Sequence, residues 1–113
     1  MNVTVTFRNL PSSDTLRDYS EQKAKKFSKY LFEPVDIHIV LKVEKIRQIA
    51  EITIASKGFR THGIEESQDM YTSIDKLQTK LERQLRRHKE RVKNHKTGSR
   101  APEAIQSASS FTE

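Results

Sequence analysis

From Val35 to Val43 every second residue is apolar, so Val35, Ile37, Ile39, Leu41 and Val43 share one side of an extended chain, with Asp36, His38 and Lys42 on the other. A period of two over this length marks a half-buried β-strand. A strand with a single apolar face must be covered from one side, which restricts the chain to a layered fold with helices packed on a sheet.

Other segments fit that plan. "NVTVTFR" places Val3, Val5 and Phe7 on one face, and "NLPSSD" then breaks the strand and offers Ser12 or Ser13 as a helix cap ahead of Asp14. Leu16, Tyr19, Phe27, Tyr30 and Leu31 recur at helical spacing, which predicts a first helix running to Tyr30, with Lys23 intruding on its seam and Pro34 closing the region. "IAEITIAS" is a strand with Ala50, Ile52 and Ile54 inward, and Lys45–Gln48 joins it to the preceding strand as a hairpin. Lys57–Gly58 marks a turn, followed by "FRTHGIEES", expected as a short or irregular last strand. A final helix starts near Ser67 with Asp69 in its first turn. Its seam is Met70, Ile74, Leu77, Leu81, Leu85, His88 and Val92, and from Ser67 to Asn94 it is about 40 Å long at 1.5 Å per residue.

The order is β-α-β-β-β-α. The expected fold class is α+β, with two helices on one face of a four-stranded, mainly antiparallel sheet. Residues 1–96 form the domain, and 97–113, rich in small and polar residues, read as a disordered tail. The start lacks the basic flank and apolar run of a signal peptide, and no segment has the length and apolarity to span a bilayer. These features predict a cytoplasmic protein with no membrane contact. With no cysteine, thiol chemistry and zinc–thiolate sites are excluded. His38, His62, His88 and His95 are dispersed without metal-ligand spacing, and neither a phosphate-cradling glycine loop nor a nucleophile motif is present. The reading is therefore no enzyme, no catalytic residue, no cofactor and no metal.

Charge carries the functional signal. Lys76 to Lys96 holds nine Lys or Arg against two Glu, whereas the rest of the chain holds twelve basic against thirteen acidic residues, so the formal net charge of +6 resides in one helix. Lys76, Lys80, Arg83 and Arg87 form a stripe about 120° round from the apolar seam. Asp75 and Glu82 fall on the opposite flank. Lys76–Lys80 and Arg83–Arg87 are like-charge pairs four residues apart, each costing about 0.2–0.5 kcal/mol, and Glu82–Arg86 is the favourable pair of that spacing. A helix patterned for solubility alone would intersperse acids; this stripe suits phosphates. Lys23, Lys26 and Lys29 on the first helix extend the basic surface, and two adjacent helices would frame a basic cleft. Aromatic residues do not interleave with these cations, which favours recognition of folded RNA by backbone and shape over stacking on splayed bases.

The opening strand "VTVTFRNL", the helix "LRDYSEQKAKKFSKY", the strands "HIVLKVEK" and "AEITI", and above all "QDMYTSIDKLQTKLERQLRRHKER" resemble the ribosome hibernation-promoting and ribosome-associated inhibitor (sigma-54 modulation protein) family of bacteria, in its short form. The resemblance covers about residues 1–96. It implies a βαβββα fold like that of double-stranded-RNA-binding domains. It also implies docking in the decoding channel of the small ribosomal subunit, in competition with messenger and transfer RNA, so that translation stops by occupancy and no bond is made or broken. The residues matching the family's ribosomal-RNA contacts are Lys23, Lys26, Lys80, Arg83 and Arg87. Geometry alone adds Lys76, Arg86 and Lys29. Long family members append a dimerising domain, and one short subgroup has an acidic tail. "TGSRAPEAIQSASSFTE" matches neither, so the direction in which the chain pushes ribosome dimerisation stays open. The expected free state is a monomer. Two other readings stand beside this one: a generic structured-RNA-binding module, and a coiled-coil-type protein interaction module built on the leucine spacing of Met70–Val92.

Overall fold

The computed structural model describes residues 1–96, with side chains placed through Val92; the expected disordered tail, 97–113, lies outside the described residues. The elements are β1 (Asn2–Arg8), α1 (Asp14–Lys25), a single 3₁₀ turn (Ser28–Tyr30), β2 (Asp36–Glu44), β3 (Arg47–Ser56), β4 (Phe59–Ser67) and α2 (Met70–Lys96). The sheet order is β1-β2-β3-β4. The β2–β3 and β3–β4 pairs are antiparallel hairpins, and β1 runs parallel to β2 because α1 carries the chain back across the sheet between them.

Register explains the single core. Val5 pairs with Ile39, Ile39 with Ile52, and Ile52 with Gly63, so one row of inward residues crosses the sheet. Ile37, Ile39, Leu41, Ala50, Ile52 and Ile54 are all buried on that face, against Ala24 and Phe27 from the α1 side and Met70, Ile74, Leu77, Leu81 and Leu85 from α2. Both helices therefore cover the same face. Each fully buried Leu or Ile contributes about 1.5–3 kcal/mol relative to exposure, and the α2 seam supplies four of them.

Three local expectations are corrected. α1 does not continue to Tyr30. It ends at Lys25, where the Lys26 amide bonds back to Lys23 and Ala24 and the Ser28 hydroxyl donates to the Lys25 carbonyl at 2.9 Å. The tighter 3₁₀ turn that follows still buries Phe27 and keeps Tyr30 partly buried, which is why the apolar spacing looked like one helix. β4 is neither short nor irregular: nine residues pair along its length. Its glycine makes room for α2, since a Cβ on Gly63 would sit 2.9 Å from Leu77 Cδ1 and 3.0 Å from Leu81 Cδ2. Asp69 lies just before α2 rather than within its first turn. Its carboxylate accepts from the Thr72 amide at 3.0 Å and from the Thr72 hydroxyl, the bonding of a helix cap. At α1 the cap is Ser13, whose hydroxyl accepts from the Leu16 amide.

Candidate nucleic-acid interface

α2 presents two unlike flanks to solvent, and the difference follows from what packs beside each. The flank facing α1 carries Asp75 and Glu82, seven residues apart, and each takes the same kind of contact from the other side. Asp75 accepts the Tyr19 hydroxyl at 2.5 Å and pairs with Lys23 at 3.4 Å, while the Lys23 ammonium lies 5.1 Å from the Tyr19 ring centre. Glu82 accepts the Tyr30 hydroxyl at 2.9 Å and pairs with Lys29 at 3.8 Å, with Lys29 5.3 Å from the Tyr30 ring. The hydrogen bond to Asp75, then burial, raises the Tyr19 hydroxyl's pKa above its ordinary value. Tyr71 packs edge-on against Tyr19 at 4.9 Å.

This seam corrects the basic-cleft expectation. Lys23 and Lys29 do lie between the helices, but acids share the groove, and the lysines act there as ties. Glu82 turns toward the 3₁₀ turn that follows α1 and pairs with Lys29, not with Arg86. Lys89 joins the same seam farther along, donating to the Lys29 carbonyl at 2.6 Å.

The other flank lies beside β4 and holds the stripe. Lys76, Lys80 and Arg83 line one shallow open depression with Glu65 and Thr79, and Asp75 reaches its edge. Glu65 reaches Lys80 at 3.4 Å and Lys76 at 3.9 Å, and the Lys76 ammonium also donates to the Glu66 carbonyl at 3.3 Å. The stripe is thus graded. Its first two cations share a carboxylate, whereas Arg83 and Arg87 are exposed and have no ion pair among the described residues. Arg86, on the outer surface of α2, and Lys26, at the end of α1, are likewise exposed and unpaired among the described residues. Of the eight candidate residues, Lys76, Lys80, Arg83 and Arg87 form one surface, with Arg86 adjoining it. Lys23, Lys26 and Lys29 lie across the acidic seam.

Glu65 was not among the candidates, although its signal is present in the sequence. Thr61, Gly63 and Glu65 alternate on the helix-facing side of β4, and a charge in that series must meet something on the helix above it. The histidines stay dispersed. His38 is exposed on the open face of the sheet, His62 there pairs with Glu51 at 2.7 Å, and His88 stacks on Phe59 at 3.9 Å. Burial, and then the charge of Arg91, holds the His88 imidazole below its usual pKa. Among the described residues there is no cluster of three His, Asp or Glu able to hold a metal ion, and no helix long and apolar enough to cross a membrane.

The fold and its graded cationic flank define a class: a small two-layer α+β domain that shows one long basic helix to solvent. Within that class, the chain belongs to the family described as sigma 54 modulation protein / S30EA ribosomal protein, whose model matches residues 3–93. It is 38% identical over 95 residues to the ribosome hibernation promoting factor of Salmonella typhimurium strain LT2, a match covering 84% of this chain and all of that one. The ribosome hibernation promoting factor of Escherichia coli K12 is 36% identical over the same coverage. Among solved structures, the N-terminal domain of Thermus thermophilus Protein Y superposes with a TM-score of 0.72 at 31% identity, over 78% of this chain and 99% of that one. A ribosomal subunit interface protein from Coxiella burnetii gives 0.69 at 28% identity, over 80% and 99%.

Proposed function

We propose that this chain is a ribosome hibernation factor: a cytoplasmic, non-catalytic protein, monomeric when free, that occupies the decoding channel of the small ribosomal subunit and blocks messenger and transfer RNA by its bulk. The observation that carries the reading is the β4-side flank of α2. There Arg83 and Arg87 project without a neutralising partner among the described residues, next to Lys80 and Lys76, on a helix whose apolar seam is buried from Met70 to Leu85. Backbone phosphates are the partner that such a row of cations fits. Relatives that carry the name ribosome hibernation promoting factor, aligned over their whole length, support the same reading.

The coiled-coil alternative loses its main support, because Met70, Ile74, Leu77, Leu81 and Leu85 are spent on the core. The exposed remainder of α2 is rich in like charge, which opposes self-pairing. Domain 1–96 is the ribosome-binding unit in this proposal, with Lys80, Arg83 and Arg87 as primary phosphate contacts, Lys26, Lys76 and Arg86 as peripheral ones, and Lys23 and Lys29 as seam residues that touch RNA only at their outer edge.

The test is competition. Purified small subunits are titrated with the protein, with and without transfer RNA already in the P site and a short messenger. Occlusion requires that transfer RNA raise the apparent Kd by one over the fraction of subunits it leaves unoccupied. Simultaneous binding of both at undiminished affinity would refute the mechanism.

A further inference from the structure

Phe32 is the most exposed aromatic side chain among the described residues, at 55% of its full accessible surface, in a chain whose other described aromatics pack against the core or each other. Its exposure is built in. Leu31 is extended, with φ −125° and ψ 152°, and turns inward onto the core, so the next side chain must point out. The backbone beneath the ring is held from both sides. The Phe32 amide donates to the Ser56 hydroxyl at 3.2 Å, and that hydroxyl donates back to the Phe32 carbonyl at 2.8 Å. The Lys57 amide reaches the same carbonyl at 3.4 Å. The ring thus stands on a braced loop.

One exposed cation is carried beside it. Those bonds bring the β3–β4 turn, with exposed Lys57, against the Phe32 backbone. Three residues upstream, Lys29 is tied to α2 twice, its carbonyl gripped by Lys89 and its ammonium paired with Glu82, which steadies the loop from that side. The neighbouring acid, Glu33, is paired with the N-terminal amine at 3.3 Å. A braced, outward aromatic ring with an exposed lysine on the adjoining turn has the makings of a stacking platform for a nucleobase, with a neighbouring phosphate met by the cation.

We propose that Phe32 is a second nucleic-acid contact, distinct from the α2 stripe, which stacks on one unpaired base of the bound RNA while Lys57, on the turn bonded to its backbone, meets the adjoining phosphate. The proposal deepens the RNA-binding reading and rests on it. Stacking and phosphate contact differ in their response to salt, and that difference separates the two surfaces. Phosphate contacts set the slope of affinity against salt, whereas base stacking is worth about five- to a hundred-fold per base and leaves the slope nearly unchanged.

The experiment uses the full chain and three variants, Phe32→Ala, Phe32→Leu and Phe32→Trp, on small ribosomal subunits and on a single-stranded uridine oligonucleotide and its fully abasic analogue. Because the chain has no tryptophan, Phe32→Trp also places a lone fluorophore at the site. Stacking predicts that the Ala and Leu variants both lower subunit affinity by about ten-fold at every salt concentration, with parallel slopes, and that the Trp variant retains it. It also predicts that the oligonucleotide quenches the emission of the introduced indole and that the abasic analogue does not. If the Leu variant binds as well as the wild type while the Ala variant is weak, the site is an apolar protein contact and the proposal falls. Unchanged affinity for all three variants, or equal quenching by both oligonucleotides, overturns it as well. A wild-type chain that fails to bind small subunits would refute the ribosomal reading, while the quenching comparison would still decide the stacking site.

Discussion

Replacing Lys80, Arg83 and Arg87 together with Ala should flatten the salt dependence of ribosome binding while leaving the fold intact. On double-stranded DNA each phosphate contact adds about 0.9 to the slope of log affinity against log salt, or about 3.5-fold between 50 and 200 mM, and folded RNA is taken on the same scale. Arg83 and Arg87 are unpaired among the described residues and should each count in full. Lys80 already shares Glu65 at 3.4 Å and should count for less. Two to three contacts are therefore lost, so the variant's affinity should fall by about ten- to forty-fold less than the wild type's over that salt range. Stability should move little. The three side chains face away from the core, and losing Lys80's surface pair costs about 0–1 kcal/mol. Relief of the Lys76–Lys80 and Arg83–Arg87 repulsions returns about 0.2–0.5 kcal/mol each. The net lies within about 1 kcal/mol, a shift in Tm of no more than several degrees. Binding is read by co-sedimentation with small subunits at a series of salt concentrations, and folding by far-UV circular dichroism. A variant that folds like the wild type yet keeps its steep slope would show that the β4-side flank is not the phosphate contact.

Two further outcomes follow from neighbouring groups. Glu65→Gln frees Lys76 and Lys80 from their shared carboxylate, so affinity for heparin or unstructured RNA should rise about three- to ten-fold with a steeper salt slope; unchanged retention on heparin would argue against Glu65 as a brake on loose polyanion binding. His88 has its pKa held down by burial and Arg91. The unfolded chain therefore takes up the proton first, and the stability present above about pH 6.5 should be lost as pH falls through that value toward the lower folded pKa. His88→Phe keeps a ring against Phe59 and should remove that part of the acid-induced drop in Tm between about pH 7.5 and 5.5; identical drops in both proteins would exclude His88 as its source.

Much of this architecture could be read from side-chain spacing. The alternation of Val35–Val43 and Ala50–Ile54 and the three-four steps from Met70 to Leu85 each declare which face is buried, because burial is decided locally by period. The end of α1 was hidden, since a 3₁₀ turn keeps Phe27 and Tyr30 on nearly the side a continuing α-helix would. "FRTHGIEES" reads as a short or irregular strand, because the purpose of its Gly63, admitting Leu77 and Leu81, belongs to a helix distant in sequence. The stripe was legible as far as helical geometry reaches. Its grading by Glu65, and the diversion of Lys23, Lys29 and Glu82 into the helix–helix seam, depend on how elements dock, and one-dimensional spacing is blind to that. Phe32 is the same case in reverse: its outward turn depends on Leu31 taking the inward place.

The twin Tyr–acid–Lys ties act together as a ruler, one joining α1 to α2 and the other joining the 3₁₀ turn Ser28–Tyr30 to α2. One tie would let the segment formed by α1 and its turn pivot. Two, anchored seven residues apart on α2 and so about 10 Å apart along its axis, resist both pivot and slide. The cation at the end of α1 and the row along α2 are thereby held at fixed separations before any ligand arrives. A surface fixed in this way has little conformational entropy left to lose on binding. It should be tolerant of base sequence yet intolerant of altered groove width or strand path, a gauge of RNA shape and not a mould for it.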